Sequence, residues 1–198
     1  MKLKNLFAFL FGILLLTGTY ESTAQQMPPD LCEVSTSDVE RWGTLRVKGQ
    51  TIVSNTTGGN TDCQVLLDKR DIVIEVEAGE QLEVFTQGPY WYSNCGSSWT
   101  SHYLGVFLDM NKDGQLDVPS PATTGPQGER LYYSGSDLPN ETAMVTIPED
   151  MDGGLYTMRI VTGDGNNPVV QRGCGDQYYI QVVDILINVK PQEPAIVD

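Results

Sequence analysis

Apolar and β-branched residues are grouped along this chain in short stretches, at 44–47, 71–76, 81–85, 103–108, 131–133, 143–147, 154–161 and 178–189. Between them stand clusters of Gly, Pro, Asn and Asp, at 55–60, 79–80, 88–89, 153–154 and 163–168. Short runs of this kind bounded by turn formers read as strands. Their spacing predicts an all-β protein, a single antiparallel β-sandwich of jelly-roll or Ig-like type. No stretch carries a long apolar stripe at helical period, so helices should be few and short, with 36–41 the one decent candidate. In Asp71-Ile72-Val73-Ile74-Glu75-Val76-Glu77 a two-residue period leads into Ala78-Gly79-Glu80 and a further strand, the pattern of a sheet edge entering a hairpin.

The chain opens with Lys2 and Lys4, an apolar run over 6–16 that is too short to span a bilayer, and a polar stretch ending at Ala24, with Ser22 and Ala24 at the two cleavage-recognition positions. Residues 1–24 are therefore expected to be a cleaved signal peptide, leaving no membrane span. Residues 25–190 are expected to form one domain and 191–198 a flexible tail. Residues 119–128, rich in Pro, Thr and Gly, read as a surface insertion.

The whole chain has 12 basic and 26 acidic residues, and losing residues 1–24 removes two lysines and one glutamate, for a net charge of −15. Such a surface repels phosphate backbones and anionic lipid, which argues against nucleic acid and membrane-surface partners and leaves divalent cations as better ones. All four cysteines, Cys32, Cys63, Cys95 and Cys174, follow the cleavage site, and an even count in an exported chain reads as two disulfides. Three pairings are possible. The favoured one joins Cys32 to Cys63 and Cys95 to Cys174, closing one local loop and tying the middle of the chain to its end. Zinc is disfavoured because there is no Cys-x-x-Cys and only one histidine, His102.

The sharpest chemical feature is Asp109-Met110-Asn111-Lys112-Asp113-Gly114-Gln115-Leu116-Asp117. It supplies side-chain oxygens at loop positions one, three, five and nine, a glycine at six for the sharp turn, and the Gln115 carbonyl at seven. Hard cations such as Ca2+ want several oxygen ligands, and alternate residues of a tight loop can point inward together. Leu116 should anchor the loop to the core. Position twelve is Ser120 and a strand precedes Asp109, so this is not a helix–loop–helix site and needs a further carboxylate; Glu129, Asp176 and Asp184 are the candidates. An Asp/Asn/Gly surface turn that binds nothing would have the same composition.

Residues 106–114 resemble the "V-x-I-D-x-N-x-D-G-x-F" hallmark of the bacterial GEVED domain. Gly128-Glu129 is similar to the "GE" that follows the loop in that family, displaced by the insertion. Val145-Thr146-Ile147-Pro148 resembles its "V-x-V-P", and residues 154–160, with Met158-Arg159-Ile160, its "G-x-T-R-M-R-V". Cys174-Gly175 followed by 181–184 and 187–189 is similar to "C-G…G-E-V-E-D-Y-T-V-x-I", and Leu31-Cys32 to an opening "Y-C". The chain departs from the family at Gln181 and Val183, which replace the two naming glutamates, and at Thr157, which replaces the first arginine; Asp184 keeps its acid. The resemblance implies a β-sandwich module of secreted and surface proteins without a transferable catalytic role.

Enzyme readings find little support in the residues. His102 lies near Ser97, Ser98 and Ser101, but no Gly-x-Ser-x-Gly elbow is present. A binding surface is the better reading: Tyr90, Trp91, Tyr92 and Trp99 sit in a Gly/Ser/Asn-rich stretch around Cys95, where rings could stack on a sugar or peptide, or equally cap the core. The expectation is a secreted or cell-surface, non-enzymatic, calcium-stabilised binding or adhesion module for a glycan or surface protein. The alternative is a structural component of a surface assembly, with a secreted hydrolase third.

Overall fold

Alternation of side chains along a strand puts Leu82, Val84 and Thr86 on one face of Gln81–Gln87 and Gln81 and Glu83 on the other, and it repeats along Asn140–Thr146. These strands are β5 and β8 in the computed structural model of the chain, which describes residues 26–36, 43–54, 65–87, 102–119, 126–134, 139–163, 168–177 and 180–190. With β2 (Thr44–Val47) and β3 (Gln50–Ser54) they make a four-stranded sheet of order β3-β2-β5-β8. A five-stranded sheet of order β4-β11-β9-β6-β7 contains β4 (Leu66–Glu77), β6 (Tyr103–Leu108), β7 (Arg130–Tyr133), β9 (Gly154–Gly163) and β11 (Ile180–Lys190). One core cluster draws Leu45, Val84 and Val145 from the first sheet and Val106, Ile160, Ile185 and Ile187 from the second, so the two sheets face one another as a sandwich.

The larger sheet is covered on its other face as well. Leu31, Phe107, Leu116, Val161, Val170, Ile180 and Val182 form a second cluster there. It is roofed by residues 31–33, by β1 (Val34–Thr36) paired with β10 (Gly175–Gln177), and by the short helix α1 (Pro168–Arg172). Burial on both faces explains why residues 180–187 of β11 are all buried and why that strand reads as a nearly continuous apolar run.

Four expectations need correction. The sheets are not wholly antiparallel, because β11 pairs parallel with β4 and β1 with β10. The turn at Ala78-Gly79 does not close a hairpin: β4 is indeed an edge strand, but β5 lies in the opposite sheet, and the turn is held by Gly79 N–H donating to the Ile147 carbonyl. Cys32 is bonded to Cys174 with Cα atoms 5.7 Å apart, not to Cys63, since the parallel β1–β10 pairing brings the two chain regions together. Thr36, the first residue of the expected helix, is in β1. Residues 37–41, 1–24, Cys63, Cys95 and the tail at 191–198 lie outside the described residues.

Candidate functional site

β6 ends at Leu108, whose side chain is in the inner core, and the chain then leaves the sheet as the acidic loop. Asp109 begins it fully buried, its N–H donating to the Thr157 carbonyl of β9. Its carboxylate organises the turn: Oδ1 accepts from Asp113 N–H at 3.2 Å and Oδ2 from Gly114 N–H at 3.1 Å. Asn111 Oδ1 accepts from Asp113 N–H at 2.9 Å and Asp113 Oδ1 from Gln115 N–H at 2.7 Å. Lys112 and Gly114 take positive φ values of 59° and 78°, which permits the chain to wind this tightly. Gly114 also has no room for a side chain, since a Cβ would lie 2.6 Å from the Asp30 carbonyl oxygen.

Glu129 closes the loop from across the insertion. Residues Gln127 and Arg130 exchange two backbone hydrogen bonds around Gly128-Glu129, and Glu129 N–H donates to the Asp117 carbonyl. At Gly128, φ is 54° and a Cβ would come within 2.1 Å of that same Asp117 oxygen, so only glycine lets the turn approach this closely. Oε1 of Glu129 accepts from Met110 N–H at 2.7 Å and Asn111 N–H at 3.2 Å, and Oε2 from Asp117 N–H at 2.8 Å. Glu129 is itself buried. The structure thus brings Asp109, Asn111, Asp113, Gln115, Asp117 and Glu129 into one hydrogen-bonded loop, and Leu116 enters the second core cluster.

Burial raises the Asp109 carboxyl above its ordinary range and the neighbouring Glu129 charge adds to this, opposed by the N–H groups of Gly114, Asp113 and Lys112. No cation answers that charge among the described ion pairs. Lys112, the nearest in sequence, lays its Nζ 3.8 Å from the centre of the Tyr156 ring. Thr157 has its own hydroxyl buried without a hydrogen-bond partner. Among the described residues, no three His, Cys, Asp or Glu side chains converge on one point as metal ligands; the carboxylates of Asp109 and Glu129 are turned to backbone N–H groups, and Asp113 accepts from Gln115 N–H and from the Asn111 side chain at 3.1 Å.

Two other candidates are not at the loop. Asp184 is not a ligand there: Arg159 donates to its Oδ1 from Nε at 2.8 Å and to Oδ2 from NH2 at 2.7 Å, a bidentate pair on the outer face of the large sheet. Asp176 is in β10, beside Ser35. His102, at the other end of β6, is buried with Nε2 2.9 Å from the Thr86 hydroxyl. The stretch with Tyr90, Trp91, Tyr92 and Trp99 and the three serines near His102 lie outside the described residues.

The sequence reading missed Glu141, which stands on the inner face of β8, accepts from the Tyr132 hydroxyl through Oε1, and keeps Oε2 buried and unpartnered. Its signal was available as an acid at an inward position of an alternating strand. Arg130, fully buried, was also missed; it donates to the Gln171 carbonyl and the Gln127 side chain.

Fold and site together define a disulfide-clasped β-sandwich module with an acidic, backbone-bound loop at one pole. The family model of the GEVED domain matches residues 103–188. The match takes in β6 to β11, so the large sheet except β4 lies within it, while β2, β3 and β5 of the facing sheet come from the preceding residues. A solved structure, CvAA9A, is 15% identical over 79% of this chain and 81% of its own, with a TM-score of 0.39. No curated protein matches the chain. Among the described residues no helix is long and apolar enough to cross a membrane, and the Cys32–Cys174 bond is of the kind that oxidising compartments sustain.

Proposed function

We propose that this protein is an exported, non-enzymatic binding or adhesion module whose fold is stabilised by calcium at the loop, and which presents a glycan- or protein-binding surface outside the cytoplasm. The observation that carries the calcium reading is the burial of Asp109 beside Glu129, with no ion pair to either carboxylate among the described residues. Charge removed from water without a counter-charge is costly, and an ion removes that cost. The donor set fits a hard cation: oxygens of Asp109, Asn111, Asp113, Asp117 and Glu129 and the Gln115 carbonyl, with no sulfur or imidazole. Each carboxylate offers about four lone-pair positions, and the backbone N–H groups leave part of that capacity free.

The N-terminal sequence pattern and the disulfide support export. The binding role rests on the aromatic stretch at 90–99 and the family resemblance. Assembly into a surface structure is the second reading, favoured by β4, a twelve-residue edge strand with Val73 exposed. The test is thermal unfolding with calcium and with chelator, in the wild type and in Asp109→Ala/Asp113→Ala. Calcium should raise the midpoint of the wild type alone; a wild type that unfolds identically in both buffers would overturn the calcium reading.

A further inference from the structure

The loop is supported from behind by the residues of the disulfide. Cys32 N–H donates to the Gly114 carbonyl at 2.7 Å, at the sharpest point of the loop. The Asp30 carbonyl packs on the Gly114 Cα so closely that a methyl group would not fit. On the other arm, Gly173, which precedes Cys174, lies against Leu116 and Phe107, and a Cβ there would meet Leu116 Cδ1 at 2.3 Å. The two arms are joined a second time by Arg159, whose NH1 donates to the Cys32 carbonyl at 2.8 Å and to the Gly173 carbonyl at 3.0 Å. Gly175 N–H donating to the Glu33 carbonyl completes the clasp.

We infer that the Cys32–Cys174 clasp is the positioning shell of the calcium loop, so that ion binding and the oxidation state of this bond are coupled. The inference rests on the calcium reading above. An ion drawing Asp109, Asn111 and Asp113 together needs Gly114 and Leu116 held where they are, and both are held by residues next to the disulfide. Groups behind the ligands typically change metal affinity by about 10- to 100-fold when removed. Coupling between two equilibria is reciprocal, so calcium must favour the oxidised clasp by the factor with which the clasp favours calcium.

The test is a redox titration of the full chain in glutathione buffers with saturating calcium and with chelator, reading each cysteine by alkylation and peptide mass, beside calorimetric titration of the oxidised protein with calcium chloride. The half-reduction point of Cys32–Cys174 should move to a more negative potential by about 30 mV, equivalent to a tenfold affinity change. Calcium heat on the oxidised protein with an unmoved midpoint overturns the coupling and leaves the calcium reading standing; absence of calcium heat overturns both. Because reduction could unfold the whole chain, amide exchange in the oxidised protein supplies a local readout. Calcium should slow exchange of the Cys32 amide by about tenfold or more, and by more than it slows the amides of β5. Equal slowing everywhere, or none at Cys32, also overturns the coupling.

Discussion

Asp184 and Asp109 are both buried carboxylates of the large sheet and its loop, and the chain treats them in opposite ways. Asp184 is neutralised within the fold by a guanidinium that meets both of its oxygens. Among the described residues Asp109 is met by backbone N–H groups alone, and it faces a second acid, Glu129. Backbone dipoles fix a carboxylate in place but bring no net charge. The first site is therefore electrostatically complete as the chain folds, whereas the second is shaped in advance and left negative, which is the condition a binding site for a cation requires.

The largest effect should come from breaking the completed pair. Arg159→Met leaves Asp184 buried and unanswered and also removes the donors to the Cys32 and Gly173 carbonyls. The expected loss is about 3–5 kcal/mol in urea unfolding, with most of it recovered in Arg159→Met/Asp184→Leu, where neither charge remains. A loss under about 1 kcal/mol would place this pair with solvent-exposed ion pairs and dissolve the contrast with Asp109.

Glu129→Gln tests the other member of the comparison. One amide oxygen can still accept from Met110 and Asn111, but the amide nitrogen cannot accept from Asp117 N–H. The calcium-linked stabilisation, about 2.7 kcal/mol at a hundredfold excess over the dissociation constant, should disappear, measured as the difference between unfolding in calcium and in chelator. An undiminished difference would remove Glu129 from the site.

A fourth buried acid, Glu141, stands on β8 opposite Thr86, which meets His102 at the far end of β6 from the loop. Glu141 is held above its ordinary value near 4.5 chiefly by burial, against the hydrogen bonds from Tyr132 and Ser134. The folded state then binds more protons than the unfolded state between the two values, so this group's contribution falls as pH rises through that window and stays low at neutral pH. Glu141→Gln should remove that dependence: relative to wild type, the variant's stability should improve by about 1 kcal/mol on going from acid to neutral pH. Parallel stability curves for the two proteins would show that Glu141 finds an answering partner, as Asp184 does.

What could be read before the fold was known follows from how local each feature is. β2 and β6 were legible to the residue because their apolar residues are bounded by polar or turn-forming neighbours. The sharp turn of the loop was legible too, since glycine at Gly114 answers a demand made within a few residues, whereas Glu129 was only one of three acids offered to close it. β1, β3 and β10 were not, being short and rich in polar residues, with pairing supplied by distant partners. The same distance hid the Cys32–Cys174 bond and the capture of Asp184 by Arg159. At Ala78-Gly79 the local turn signal was correct, but a turn does not say whether the next strand returns to its own sheet or crosses to the other.

The smallest expected effect asks whether the loop has a counter-ion of its own after all. Lys112 sits inside the acidic sequence yet its ammonium lies over the Tyr156 ring. If that ring is its partner, Lys112→Gln loses one cation–π contact, about 0.5–1 kcal/mol, and leaves calcium affinity within about a factor of two, since the charge is held away from the carboxylates. If the ammonium instead neutralises Asp109 and Glu129 when no ion is bound, its removal destabilises the calcium-free protein further and tightens calcium binding by about tenfold, because one opposing charge no longer competes with the ion. Calorimetric titration of the variant beside wild type separates these outcomes, and the second would make Asp109 a paired acid like Asp184, its partner displaced by the ion.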